Sequence, residues 1–530
     1  MKRNIASAIC LGLGLAGPAM AQSATDCSNL TGLSSDGVTI TTTEFIDTGS
    51  FTPPGQEPLT DLPPFCRVAL TIDPEISVEV WMPVQGWTGR FVGIGGGGYA
   101  GYIEYQELAG GLREGSAVAN TDTGHSSDWF LGGFAFNDTG SVDMDKVVTF
   151  ASRGIIEMTH NAKNVVAAFY GEPAAYSYWS GCSTGGRQGL MQVQRTPDAY
   201  DGVIAGAPAI NWERFIAAEI WPQIVMHEML GGPIAQSKWD AVSTAARAAC
   251  DAGDGLEDGA VANPARCDFD PAELQCGAEG GDACLTADEV TAVRAIWDGP
   301  MRADGTPLWF GLDPTVPIGG LAGEQAFPIA VEHARWVMDD PDFDWRTITM
   351  ADFPAYFDAS NSKFNDVIGT DEADLSGFRD AGGKLIIWHG WEDQLIFAPG
   401  SIDYYDRVVA NTGGLDRTQD FARLFMAPGV EHCAGGTGPN AFGTRNARLP
   451  VTMPLKMDAE HDLFHAITRW VEEGVAPDHI IATRYTDNDP ANGVERTRPL
   501  CPYPLVAVHD GTGDIDDAAS FTCGEDPGAK

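Results

Sequence analysis

Ser183, Asp393 and His432 have the residue types and the chain order of a nucleophile, an orienting acid and a general base. Ser183 lies in Gly181-Cys182-Ser183-Thr184-Gly185. The glycines of such a Gly-x-Ser-x-Gly stretch allow the tight strand-to-helix turn that lifts a serine hydroxyl above a sheet. The helix that follows would offer unpaired N–H groups to a developing oxyanion. Upstream, the strand-like run at 90–94 enters the glycines Gly95, Gly96, Gly97 and Gly98, which suits a loop donating a second N–H to the same oxygen. The chemistry this points to is acyl transfer, with the histidine taking the serine proton and the aspartate orienting the imidazole.

For these groups to meet, each must stand just past the carboxyl end of a strand in one sheet. The run at 176–179 enters the serine turn, 383–388 precedes Asp393, and 421–427 precedes His432. Further strand-like stretches lie at 67–72, 76–81, 117–121 and 201–208. The spacing of apolar residues predicts a helix over 147–170, stopped by Gly171. Strands alternating with helices indicate an α/β sheet, and Ser before Asp before His is the α/β-hydrolase order. Asp122 and His125 fall in another polar loop at a strand end; shaping that loop is the simpler role for them. Cys182 precedes the serine and Cys433 follows the histidine, so a disulfide between them would tie the two loops together.

Between 211 and 371 the strand signals fade. Prolines and acidic turns multiply, and Trp212, Phe215, Trp221, Trp297, Trp309, Phe310, Phe327, Trp336, Trp345 and Phe353 recur. This reads as an inserted lid whose aromatics form its own core, a few of them lining a substrate cleft. The expected organisation is α/β: an α/β-hydrolase core over 22–210 and 372–530, with the lid at 211–371. Within the lid, 250–260 carries Asp251, Asp254 and Asp258 among glycines. Such a loop could wrap a hard cation with oxygen ligands, or be an acidic surface turn.

The first 21 residues run from a basic start through a short apolar stretch to Ala19-Met20-Ala21, the pattern of a cleaved secretory signal. The apolar stretch is too short to span a bilayer. Of 11 cysteines, ten lie beyond it, an even number suited to an oxidising compartment. Cys250/Cys267, Cys276/Cys284 and Cys501/Cys523 are close enough in sequence to invite local bridges. With 74 acidic against 32 basic residues the net charge is −42. That makes nucleic acid and anionic membranes poor partners and suits a well-solvated surface.

At these residues the chain resembles the tannase and feruloyl esterase family, which also includes hydrolases of mono(2-hydroxyethyl) terephthalate. The resemblance rests on Gly181-Cys182-Ser183-x-Gly185-Gly186, the Asp393 loop after His389-Gly390, Pro428-Gly429-x-x-His432-Cys433, the acidic loop and the ending Arg498-Pro-Leu-Cys501. It implies a Cys182–Cys433 bridge, further bridges Cys27–Cys66, Cys250–Cys267, Cys276–Cys284 and Cys501–Cys523, and oxyanion donors at Gly98 and Thr184. It also implies calcium held by Asp251, Asp254 and Asp258 with the carbonyls of Leu256 and Ala260, and no organic cofactor. The expected substrate is a small ester of an aromatic acid, of hydroxycinnamic or galloyl type. Relatives acting on the terephthalate monoester look as if they use a lid arginine for its free carboxylate, and no Lys or Arg occurs between Arg302 and Arg335. A serine peptidase of similar fold would share the triad order, and the position of the lid between the serine turn and Asp393 favours the esterase.

Overall fold

In the computed structural model, β1 (Val38–Ile46), β2 (Phe65–Ile72), β3 (Ile76–Pro83), β4 (Arg90–Ile94), β5 (Ala117–Thr121), β6 (Tyr176–Cys182), β7 (Gly202–Gly206), β8 (Lys384–Gly390) and β9 (Ala422–Ala427) form one sheet. Their order is β1-β2-β3-β5-β4-β6-β7-β8-β9. The structure describes residues 22–277, 281–444 and 452–527, and everything of Asp254 but its side chain; the segment 1–21, where a cleaved signal is expected, lies outside the described residues. From β5 to β9 every pairing is parallel, whereas β1, β2, β3 and β5 pair antiparallel.

The parallel strands read as near-continuous apolar runs because helices cover both of their faces. One face buries Ile155 and Met158 of the helix Gly154–Tyr170, Leu190 and Met191 of the helix Thr184–Arg195, and Tyr404 and Tyr405 of the helix Ala398–Thr412. The other takes Leu108 and Leu112 of Tyr105–Arg113 and Phe464, Ile467 and Trp470 of Leu463–Glu473. Since β4, β6, β8 and β9 run the same way, the loops after them share one edge of the sheet.

The helix predicted over 147–170 begins earlier, at Met144, and passes through a wide π turn at Thr149–Arg153 before Gly154–Tyr170. At that turn the Ala151 carbonyl accepts a hydrogen bond from Arg187 Nη1 at 2.8 Å, a long-range partner that local periodicity does not register. Gly171 ends the helix at φ 78°, a conformation glycine adopts at little cost.

Between β7 and β8 lie the helices Trp212–Glu219, Trp221–Leu230, Gln236–Cys250, Ala287–Asp298, Pro328–Met338 and Phe353–Ile368, followed by the short helix Ser376–Asp380. Their apolar core is continuous with Tyr99 and Phe150 of the sheet-bearing part. Tyr99 packs against Trp212 and Trp336 at 5.6 and 4.9 Å between ring centres. Two antiparallel hairpins close the chain, Ile480–Tyr485 with Val494–Leu500 and Val506–His509 with Phe521–Gly524. Disulfides join Cys27–Cys66, Cys182–Cys433, Cys250–Cys267, Cys276–Cys284 and Cys501–Cys523. Among the described residues no helix is long and apolar enough to cross a membrane.

Candidate active site

β6 runs directly into Ser183, which adopts φ 63° and ψ −125° before the helix Thr184–Arg195 begins. A non-glycine residue held at positive φ is strained, and such strain persists only where the surroundings enforce it. Here they do: Ser183 N donates to Gly206 O at 2.9 Å, and Ser183 O accepts from Ala209 N at 3.1 Å. The turn also needs glycine for space. A Cβ on Gly181 would lie 2.7 Å from the Gly185 backbone, and one on Gly95 would lie 2.4 Å from Gly185 Cα. The glycine loop after β4 therefore packs onto the serine turn backbone to backbone.

Two side chains of the helix Thr184–Arg195 tie that loop down. Thr184 Oγ1 donates to Gly98 O at 2.6 Å, and Gln188 Oε1 accepts from Gly96 N at 3.0 Å. Gly98 has φ 53°, and a Cβ there would meet the Trp129 carbonyl at 2.3 Å. Its glycine is thus required by its own conformation and by Trp129, independently of any substrate. Gly98 and Thr184 lie together with Ser183 in the wall of one cavity.

Asp393 follows β8 and is 2% exposed. Its Oδ2 accepts from His432 Nδ1 at 2.7 Å and from His389 Nε2 at 3.1 Å, and its Oδ1 accepts from the N–H groups of Leu395 and Ile396. Burial by itself would raise the Asp393 carboxyl; the charges and hydrogen bonds of His432 and His389 outweigh it and hold the group below the usual carboxylate range. His432 N–H donates to Gln394 Oε1 at 3.0 Å. With Nδ1 held by Asp393, Nε2 is the ring nitrogen left for the serine. The Cys182–Cys433 bridge, with Cα atoms 5.9 Å apart, ties the residue before Ser183 to the residue after His432.

His389 and Gln394 bond directly to Asp393 and to the His432 N–H, contacts that the sequence reading does not single out. His389 Nδ1 lies 2.8 Å from Ser401 Oγ, so the ring bridges the helix Ala398–Thr412 to the aspartate. The available signal was a histidine at the end of a strand, four residues before a candidate acid. Asp122 and His125 do not join the site. Asp122 accepts from the N–H groups of Ser77 and Gly124. His125 stacks on Phe134 at 3.5 Å, and burial lowers its pKa to about 4.

Two cavities meet at Ser183 and His432. One, of about 330 Å³, runs past Gly95 to Gly98, Tyr102, Glu104 and Trp129. The other, of about 80 Å³, lies under the insert and is walled by Trp129, Trp212, Phe215 and Phe327. Of the ten lid aromatics picked out from the sequence, most are interior; Trp212, Phe215 and Phe327 are the ones that line this cavity.

The acidic loop is braced within the fold. Asp251 accepts from Gly259 N at 2.9 and 3.0 Å, and Asp258 Oδ1 accepts from Ala260 N at 3.0 Å. Asp258 is also paired with Arg496 at 3.3 Å and with Arg498, both on the strand Val494–Leu500. Gly259 O accepts from Thr437 Oγ1 at 3.1 Å. Far from the triad candidates in sequence, the loop thus touches the segment that follows His432. Among the described residues no group of three or more acidic, histidine or cysteine side chains is arranged to hold a metal. The side chain of Asp254 lies outside the described residues.

A mostly parallel sheet with serine, aspartate and histidine at the ends of β6, β8 and β9, covered by a helical insert, is the arrangement of an α/β-hydrolase. The chain belongs to the tannase and feruloyl esterase family, whose sequence pattern matches residues 64–524, and is a carboxylic ester hydrolase of that type. It is 36% identical to a probable feruloyl esterase of Arthroderma benhamiae, over 91% of this chain and 90% of the relative. It is also 36% identical to an uncharacterised esterase of Xanthomonas campestris pv. campestris, over 94% and 91%. The crystal structure of feruloyl esterase B from Aspergillus oryzae superposes with a TM-score of 0.84 at 27% identity, covering 94% of this chain and 99% of that one.

Proposed function

We propose that the chain is an exported serine esterase that cleaves esters of hydroxylated aromatic acids through a Ser183-His432-Asp393 triad. The observation that carries this reading is the small aromatic-walled cavity opening on Ser183 and His432, with Asp393 bonded to the other side of the imidazole. Ser183 Oγ attacks the ester carbonyl as His432 Nε2 takes its proton, and Asp393 holds the ring and stabilises the imidazolium. The N–H groups of Gly98 and Thr184 receive the oxyanion; each such donor lowers the barrier by about 3 kcal/mol. His432 returns the proton to the departing alcohol. Water, deprotonated in turn by His432, then releases the acid from the acyl-enzyme. The aromatic acyl group lies between the sheet edge and the insert.

Among the described residues lining the two cavities there is no lysine or arginine, which favours a neutral acyl group over a terephthalate monoester. The test is a panel of initial rates on methyl ferulate, methyl gallate, mono(2-hydroxyethyl) terephthalate and p-nitrophenyl acetate. The expected result is a preference for one of the two hydroxylated esters. Faster turnover of the terephthalate monoester would refute the assignment.

Calcium is the second part of the proposal. The donor set is all oxygen, the chemistry that a hard cation takes, and Asp251 and Asp258 are gathered on one turn by the N–H groups of Gly259 and Ala260. The carboxylates of Asp251, Asp254 and Asp258 and the carbonyls of Leu256 and Ala260 would hold it. Bound there it would supply rigidity to a loop that braces the segment after His432, and no chemical step. The five disulfides support an oxidising compartment. Purified from the medium of an exporting host, the protein is expected to begin at Gln22 and carry one calcium per chain by elemental analysis. Its Tm should fall by several degrees on chelation and recover with calcium. A metal-free protein with an unchanged Tm would remove the calcium.

A further inference from the structure

Glu219 ends the helix Trp212–Glu219 and stands in the wall of the smaller cavity beside Ser183. It is 2% exposed and contributes the only carboxylate among that cavity's described lining residues. Its Oε2 is buried with no hydrogen-bond partner among the described residues. No arginine or lysine pairs with it there either, unlike the buried Glu392, which is bonded to Arg247. A buried acid without a partner is costly to keep, and since the wall is otherwise apolar and aromatic apart from Ser183, Thr184 and His432, a leucine would fill the same place. Burial, reinforced by the negative charge of Asp393, pushes the Glu219 carboxyl well above the ordinary range, which favours its protonated form, able to donate as well as accept. Tyr356, whose phenol is raised by burial and by the neighbouring Glu219, also has a buried oxygen without a partner.

A buried carboxyl with an unpartnered oxygen, set in an aromatic-walled cavity next to the nucleophile, matches a ring hydroxyl. We propose that Glu219 is a specificity-determining residue that hydrogen-bonds a ring hydroxyl of the acyl group held in this cavity. The inference rests on the reading of Ser183 as the nucleophile of an aromatic esterase, and deepens it by naming the group that reads the ring. When a site is built to bond a substrate hydroxyl, the analogue lacking that hydroxyl leaves a buried polar group unpaired and is rejected.

The test compares kcat/KM for methyl 4-hydroxycinnamate with that for methyl cinnamate, which differ only in the ring hydroxyl. The readout is the ratio of the two, which a purely structural role for Glu219 would not move. The wild type is expected to favour the hydroxylated ester by about tenfold or more. Glu219→Leu should bring the ratio close to one, and the near-isosteric Glu219→Gln, whose amide can still donate and accept, should give an intermediate value. If Glu219→Leu fails to fold, Glu219→Gln decides alone: a ratio lowered at least threefold supports the proposal, and an unchanged ratio overturns it. A folded Glu219→Leu with the wild-type ratio overturns it, as does a wild type that does not discriminate. A wild type inactive on both esters would instead overturn the underlying reading of the site, and this inference with it.

Discussion

Ser183→Ala is expected to lower kcat for an aromatic ester on the order of 10⁶-fold, the loss typical when a serine hydrolase is stripped of its nucleophile. No neighbour can substitute for the hydroxyl. Cys182 is locked to Cys433, and Thr184 Oγ1 is committed to the Gly98 carbonyl. The change should leave the fold intact, because the contacts that hold residue 183 at φ 63° come from its backbone N–H and carbonyl. The variant should therefore keep the wild-type Tm to within a few degrees and still bind the aromatic ester, making it suitable for capturing an uncleaved substrate. Single-turnover and steady-state rates check this. Activity above one part in a hundred of wild type, with the wild-type pH profile, would mean that another group attacks.

Asp393→Asn should lower kcat by about 10⁴-fold while changing KM much less. The substitution keeps the shape and removes the charge. In the wild type the Asp393 carboxylate accepts from two imidazoles at once, His432 Nδ1 and His389 Nε2. An asparagine amide cannot accept from both on its oxygen and also present a donor without turning one ring or leaving a buried N–H facing another. His432 would then expose the wrong tautomer to Ser183. Because the wild-type carboxylate is held below its usual range in the folded protein, it contributes stability that is present above the unfolded carboxylate pKa and lost as pH falls through the lower folded value. Asp393→Asn should accordingly lower Tm at pH 7 and narrow the gap to wild type toward strongly acidic pH. A kcat within tenfold of wild type would show that the aspartate is not the orienting acid.

The candidate site residues were legible because their signals are local. Gly-x-Ser-x-Gly after a strand, and polar loops bearing Asp393 and His432 after two more, need only neighbours in the chain to be recognised. The chain order then places all three on one edge, since a parallel sheet aligns its strand ends. The alternation of strand and helix announced the α/β core for the same reason. The wide turn at Thr149–Arg153 was not legible: its Ala151 carbonyl meets Arg187, 36 residues away.

Glu219 marks the boundary most clearly. In the run Phe215-Ile-Ala-Ala-Glu219-Ile-Trp221 a lone acid among apolar residues is visible, but the run alone does not say whether that acid meets solvent, an arginine or an empty cavity. That depends on how the insert seats over β6 and β8, which is set by contacts such as Tyr99 with Trp212 and Trp336. The same holds for Thr437, which joins the acidic loop to the segment after His432 across 178 residues. The amino-acid sequence by itself determined the candidate nucleophile, acid and base, the parallel core and the cysteines flanking the site, because each is written in a turn, a periodicity or an adjacency. Only the tertiary structure decided which side chains wall the cavity, which brace Asp393 and which buried carboxyl is left without a partner. Those are properties of surfaces brought together from distant parts of the chain, where packing rather than local preference selects the neighbour.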